Sequence, residues 1–456
     1  MSRADLIVGP ATVITCDAAH PVVHDGAVAV AGDRVLQVGP FEQLRRECPE
    51  AQFEDVRGRV LMPGMTCTHT HLYSTFARGM ALSGPKPAPR RFGEILERLW
   101  WRLDKALCEE DVWFSAALAL IQCVRCGTTT IMDHHSSPSV APGSLDVVRD
   151  AVEQVGIRAS LAYEVSDRDG ERARDGGIAE NVRFLQACAR RPAANVRATF
   201  GLHASFTLSD ETLRRCAEAG GALGAGFHVH TAEGPEDQVL TQAMAAGGAD
   251  GTLARIVYRF DRFGLWNPKS LAVHCVHIDE REMDVLAACE AAAVHNPQSN
   301  MGNAVGAAPV VEMVRRGVCV GLGTDGYTFD MFESMRAANL LHKHEAGDPQ
   351  AATGEVQVMA FGGNAAILAK HWPEAALGVL APGAFADMIA LDYLPPTPLT
   401  DDNWFGHVLF GLSGAAVNTT IVGGRVLMRN RRLTTVDEER LAARGRELAA
   451  AMWKRM

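Results

Sequence analysis

Basic runs are missing from these 456 residues, in which 44 Lys and Arg stand against 54 Asp and Glu, for a net charge of -10. Nothing builds the positive stripe that a polyphosphate backbone requires, which argues against a nucleic-acid partner. Long apolar runs are missing too. The longest, Phe114 to Val124, falls short of the roughly 18 residues that cross a bilayer, and Gln122 interrupts it. No membrane span is expected. The opening residues, MSRADLIVGPATV, lack the basic start, apolar middle and small-residue cleavage site of a secretory leader, so the expected compartment is the cytoplasm. Cysteine occurs eleven times, an odd and scattered set with members inside apolar segments (Cys67, Cys275, Cys319), which reads as free thiols. Cys123-x-x-Cys126 has no second pair to complete a zinc knot and sits at helical spacing in an apolar run, so packing is its expected role.

What is present is an ordinary globular composition, 47% hydrophobic and 21% charged, with enough chain for one large domain and a smaller one. Short β-like runs punctuated by Gly and Pro open the chain (Leu6 to Thr15, Gly26 to Ala31, Arg34 to Val38), and the same texture returns at Asp387 to Asp392, Val417 to Val422 and Arg425 to Met428. These flanks, 1–60 and 378–435, are expected to pair in space as one small β-sandwich domain. Residues 436–456 read as an amphipathic C-terminal helix.

Between the flanks, over 61–377, β-rich segments alternate with helical ones, the signature of repeated βα units. Eight strands are expected: Val60 to His69, Thr128 to His134, Arg158 to Glu164, Arg197 to His203, Gly224 to His230, Ser270 to His274, Ala291 to His295 and Val318 to Asp325. Each ends in His, Glu or Asp. Polar groups at eight parallel strand ends converge on one spot only if the sheet closes, so the expected fold is α/β, a (β/α)8 barrel carrying the small β domain. His69 and His71 at the first strand end share one face, as do His228 and His230 at the fifth. With Asp325 leaving the eighth strand, His69, His71 and His230 supply three nitrogens and one oxygen, a set for one zinc or iron that leaves a position for water.

The segments PGMTCTHTHLYSTFARGM, GLHASFTLSD, FHVHTAEG, AVHCVHID, HNPQSNMGNAVG and GLGTDG, in this order, resemble the amidohydrolase superfamily in its mononuclear deaminase and chlorohydrolase branch. RLWWRLDKAL and DHHSSP make the likeness greatest to the SsnA group of aminohydrolases. The resemblance implies the same four ligands, prefers His230 to His228 as the fifth-strand ligand, and matches His274, not His277, to a catalytic histidine. Related barrels bridge two metals with a carboxylated lysine on the fourth strand; no lysine lies between Lys105 and Lys269, so one divalent ion is expected, zinc first and iron(II) second. Phe385 departs from the pattern, since a basic residue is commoner there.

The implied reaction is hydrolytic deamination of an amino-substituted N-heterocycle such as a purine, pterin or triazine. A metal-bound hydroxide attacks the ring carbon, Glu233 carries a proton to the ring nitrogen and then to departing ammonia, and His274 and Asp325 orient the water. His203 resembles a substrate contact on the fourth strand, and Trp100, Trp101, His134, Glu164, His295 and Asn300 are further candidates for substrate binding. Hydrolytic dechlorination, cyclic amide hydrolysis and a catalytically silent scaffold are the alternatives. The expected partner is a small heterocycle, and the expected assembly a homodimer. The glycine-rich Gly220 to Gly226 precedes a strand and reads as a loop. His20, His24, His342, His344, His371 and His407 read as surface or packing residues.

Overall fold

The computed structural model describes residues 3–82, 88–192, 195–244 and 255–456. Parallel strands form its centre: β1 (Met65–Thr70), β2 (Thr128–His135), β3 (Arg158–Tyr163), β4 (Val196–Ala198 and, beyond Thr199, Phe200–Ala204), β5 (Phe227–Thr231), β6 (Leu271–His274), β7 (Ala292–His295) and β8 (Val320–Leu322). Ladders run from β1 to the first piece of β4, and from its second piece to β8. Bridges from Val165 to Leu202 and from Thr70 to Asp325 close both seams, so the sheet is a (β/α)8 barrel. Strands such as Arg158–Tyr163 are buried along their whole length, as expected where helices cover the outside of a parallel sheet.

Two strands differ from expectation. The run Val60 to His69 is two strands, because Val60–Pro63 pairs with Met388–Leu391 in another sheet before the chain enters the barrel. The crossing point is Gly64, where a Cβ would lie 2.2 Å from Thr129 Oγ1, so only glycine lets the backbone through. Strand β8 stops at Leu322 instead of reaching Asp325, because the Thr324 and Asp325 amides both turn to donate to the His69 carbonyl. That turn brings Asp325 back over β1.

The two flanks of the sequence meet in one nine-stranded sheet, joined by the Val60–Pro63 to Met388–Leu391 ladder. Alternation sorts its residues onto two faces. Val8, Val28 and Val30 enter one apolar cluster with Met388 and Ile421, whereas Ile7, Ala27 and Ala29 pack under Leu44 of the helix Phe41–Glu47. At the junction with the barrel, Phe385 is stacked between the Arg34 and Arg158 guanidiniums, each 3.8 Å from its ring centre. Arg158 also pairs with buried Asp387 at 2.7 Å. The unusual phenylalanine is therefore the filling between two cations.

The helix Glu438–Trp453 begins where the Asp437 side chain caps the Arg440 amide. It lies on the helix Glu109–Cys126, burying Leu448 and Met452, worth about 1.5–3 kcal/mol each when fully buried. Gly445 permits the approach, since a Cβ there would stand 2.4 Å from Leu118 Cδ1. All eleven cysteines are unpaired, and Cys123 is buried on the helix Glu109–Cys126. Among the described residues no helix is long and apolar enough to cross a membrane.

Candidate active site

At the C-terminal end of the barrel, three imidazoles point Nε2 at a common spot and hold themselves in place with Nδ1. His69 Nδ1 lies 2.8 Å from His228 Nε2, His71 Nδ1 2.5 Å from the His134 carbonyl, and His230 Nδ1 2.9 Å from the His203 carbonyl. His71 Nε2 is 3.3 Å from His230 Nε2 and 3.0 Å from Asp325 Oδ1, and His69 Nε2 is 3.5 Å from that oxygen. Ligands at the usual zinc bond length around a tetrahedral centre stand roughly 3.3 Å apart. The spacing matches. His69 Nε2 is moreover buried with no hydrogen-bond partner, which a structure tolerates where a cation completes the group.

Protonation points the same way. Burial drives His69 down to about 3, and burial with neighbouring rings holds His230 well below the ordinary imidazole range. These rings are neutral, as ligands must be. Burial also opposes charge on Asp325, yet the adjacent His69 and His71 rings and the nearby His274 outweigh it and keep this carboxyl well below its usual range. His71 is the exception, held up at about 9 because Asp325 overcomes the cost of burial. A carboxylate in a nest of neutral rings calls for positive charge, and without a metal one ring keeps a proton. The residues fit one divalent ion held by His69, His71, His230 and Asp325, and no lysine lines the cavity among the described residues.

Beside this centre, Glu233, His274 and Asp325 each present an atom within 4.8 Å of the others. His274 Nδ1 is 2.8 Å from Asn300 Oδ1, and its Nε2 is 3.3 Å from Glu233 Oε2. Burial first, then the nearby Asp325 and Asp237 carboxylates, pushes the Glu233 carboxyl well above its usual range. Backbone strain is present here: Ala232, His274, Cys275 and Asp325 all have positive φ, at about 1–3 kcal/mol each for residues other than glycine. The rest of the fold maintains that geometry at a cost.

A cavity of about 200 Å³ opens over the centre, lined by His71, His203, His230, Glu233 and Asp325, with Trp100, Trp101 and Tyr73 as aromatic walls. That volume exceeds the ~30 Å³ of a water molecule several-fold and can admit a planar ring. Trp100 ends a π-helical turn, Leu96–Trp100, a distortion frequent at functional sites. His134, Asn300 and His295 do not line this cavity. His134 Nε2 is 3.0 Å from the His228 carbonyl, Asn300 holds His274, and His295 Nε2 faces His342 Nε2 at 3.1 Å. The last of these turns towards His342 on the helix Met331–Ala346.

Sequence reading named Glu164 but missed Arg168 and Asp104, which complete the charged wall of the cavity. Arg168 contacts Asp104, bonds to Glu164 at 3.2 Å and stacks over Trp101 at 5.4 Å, and Glu164 lies 3.3 Å from His203 Nε2. The run Ser166-Asp167-Arg168-Asp169 just after β3 was the available signal. Ser299, which donates to Asp325 Oδ2, sits within HNPQSN and gave no sign of that contact.

With the geometry in view, the chain matches the amidohydrolase family over residues 60–427 and a bacterial imidazolonepropionase-like composite domain over residues 26–51. A 5-methylthioadenosine/S-adenosylhomocysteine deaminase of Pelotomaculum thermopropionicum is 32% identical over 99% of this chain and 100% of its own length. A 5'-deoxyadenosine deaminase of Methanosarcina mazei is 32% identical over 99% of both. Among solved structures, an adenosine deaminase from Xanthomonas campestris with bound zinc shares the fold at a TM-score of 0.86, with 24% identity over 99% of both chains. The chain belongs to the amidohydrolase family, as an enzyme acting on carbon-nitrogen bonds other than peptide bonds.

Proposed function

We propose that this amidohydrolase is a metal-dependent hydrolytic deaminase of an amino-substituted N-heterocycle, with a 6-aminopurine ring the first candidate. The observation that carries the reading is the placement of Glu233, with its raised carboxyl, 3.3 Å from His274 Nε2 and beside the His69, His71, His230 and Asp325 donor set. Relatives spanning the whole chain and named as deaminases of adenosine derivatives support the choice of ring. A divalent ion held by those four residues supplies, when bound, a water acidic enough to react near neutral pH.

The protein's own groups do the rest. Glu233, its carboxyl raised well above the usual range by burial, donates a proton to the ring nitrogen as water adds to the amino-bearing carbon, which spares the ring a full negative charge. The resulting carboxylate takes one proton from the added water and passes it to the amino group, which leaves as ammonia, and the remaining hydroxyl proton returns to Glu233 as the carbonyl forms. His274, fixed by Asn300 on its far nitrogen, and Asp325 set the direction of attack. Trp100 and Tyr73, at 6.3 Å and nearly perpendicular, flank the space for a planar ring. A cytoplasmic homodimer is the setting that accompanies this reading.

The test is ammonia release from a panel of aminopurines, aminopterins and aminotriazines by zinc-loaded protein. Release from one ring class, lost in Glu233→Gln, is the expected result. Silence across the panel with metal bound overturns the reading.

A further inference from the structure

A cavity of about 260 Å³ lies at the far end of the barrel from the metal donors, beneath the starts of β6, β7 and β8. Leu271 opens β6 and lines this cavity, whereas His274 closes the same strand at the other end. Leu271, Ala292 and Ile367 form its buried wall, and Lys269, Lys370 and Glu290 its exposed edge. His371, which ends the helix Asn364–His371, lines it as well and is 8% exposed. Its Nε2 is buried with no hydrogen-bond partner. Burial first, then Lys269, holds the ring down at about 4, so near pH 7 it is neutral, with one N–H to donate and one nitrogen to accept.

The N-terminal face of a (β/α)8 barrel ordinarily serves stability. An open space there forfeits packing contacts, and a buried nitrogen without a partner calls for one. The edge is positive on balance. Glu290 stands 3.8 Å from Lys370 as an exposed, weak pair, and Lys269, with no carboxylate partner among the described residues, reaches the Gly224 carbonyl at 3.4 Å.

We propose that this cavity is a second binding site, for a small organic carboxylate on a ring-sized apolar body. Its volume exceeds the ~30 Å³ of a water molecule several-fold, and none of the residues lining it lines the cavity over the metal donors, so binding here does not depend on the deamination chemistry. The apolar body leaves water against Leu271, Ala292 and Ile367. The carboxylate sits at the edge, where ammonium groups strengthen its hydrogen bonds, and His371 adds one directional polar partner to an otherwise apolar wall. An amine of the same shape meets two cations, and an amide keeps the apolar contacts without the charge.

Benzoate, benzamide and benzylamine form a matched series for calorimetry on the zinc-loaded protein. Benzoate is expected to bind at least tenfold more tightly than benzamide, and benzylamine most weakly. Lys269→Gln with Lys370→Gln is expected to bring benzoate down to the affinity of benzamide, while benzamide stays within twofold and the metal content is unchanged. Ala366→Trp, which fills the cavity from its exposed side, is expected to abolish binding of both. Equal affinity for benzoate and benzamide overturns the carboxylate, and no binding of either at millimolar concentration overturns the site. Benzoate affinity that survives the lysine substitutions or Ala366→Trp places the ligand elsewhere, the metal included, and overturns the site as well. Lysine-dependent benzoate binding by a protein that releases no ammonia from any ring upholds the site and counts against the deaminase reading alone.

Discussion

Each histidine of the candidate centre is a two-ended device, one nitrogen for the metal and the other anchored to a carbonyl or a second ring. His228 is the least obvious member, because its Nε2 fixes His69 through Nδ1 while its own ring is fully buried. Removing such an outer partner typically weakens metal binding about 10–100-fold. His228→Ala is therefore expected to lose zinc to a chelator at correspondingly lower concentration, with its circular dichroism unchanged. Glu233 makes no contact of this kind, and on the proposed function its effect belongs to the chemical step. Glu233→Gln is expected to retain one metal per chain and to lower kcat by about 10²–10⁴-fold, the usual worth of a general acid-base, as read in a coupled ammonia assay.

At the scale of elements, the barrel and the nine-stranded sheet are joined by the Arg158–Asp387 pair, whose side chains are 4% and 3% exposed. Removing one partner of a buried ion pair leaves an uncompensated charge and costs about 3–5 kcal/mol. Asp387→Ala is accordingly expected to lower the unfolding free energy by that amount, read from urea titration, without changing metal stoichiometry. The C-terminal helix rests on a smaller device, the Asp437 cap. Loss of an N-cap costs about 1 kcal/mol, so Asp437→Ala is expected to lower Tm by only a few degrees and to leave activity intact.

For the whole molecule, the metal links stability to the site. Donors from β1, from β5 and from the turn after β8 are brought together only in the folded barrel, so an ion that binds them stabilises the native state by about 2.7 kcal/mol when present at a hundred times its Kd. Exhaustive chelation is expected to abolish turnover and lower Tm, and zinc or iron(II) to restore both. A Tm indifferent to chelation and reloading would separate the metal from the fold.

The sequence alone determined the alternation of strand and helix, the polar residue at each strand end and the histidine pairs at β1 and β5, because strand periodicity and the end of an apolar run are local properties written in neighbouring residues. That the two flanks pair in one β domain was legible as matching texture, whereas their joining in a single nine-stranded sheet was not. Tertiary structure alone decided the rest. It placed Arg168 beside Asp104, 64 residues away in the chain, turned His295 towards His342 and away from the cavity, put Asn300 behind His274, and gave Ser299 its contact with Asp325. Those contacts depend on how helices and loops from distant segments pack over the barrel mouth. No periodicity encodes such an arrangement, since it is set by which side chains fill space together once the ring has closed.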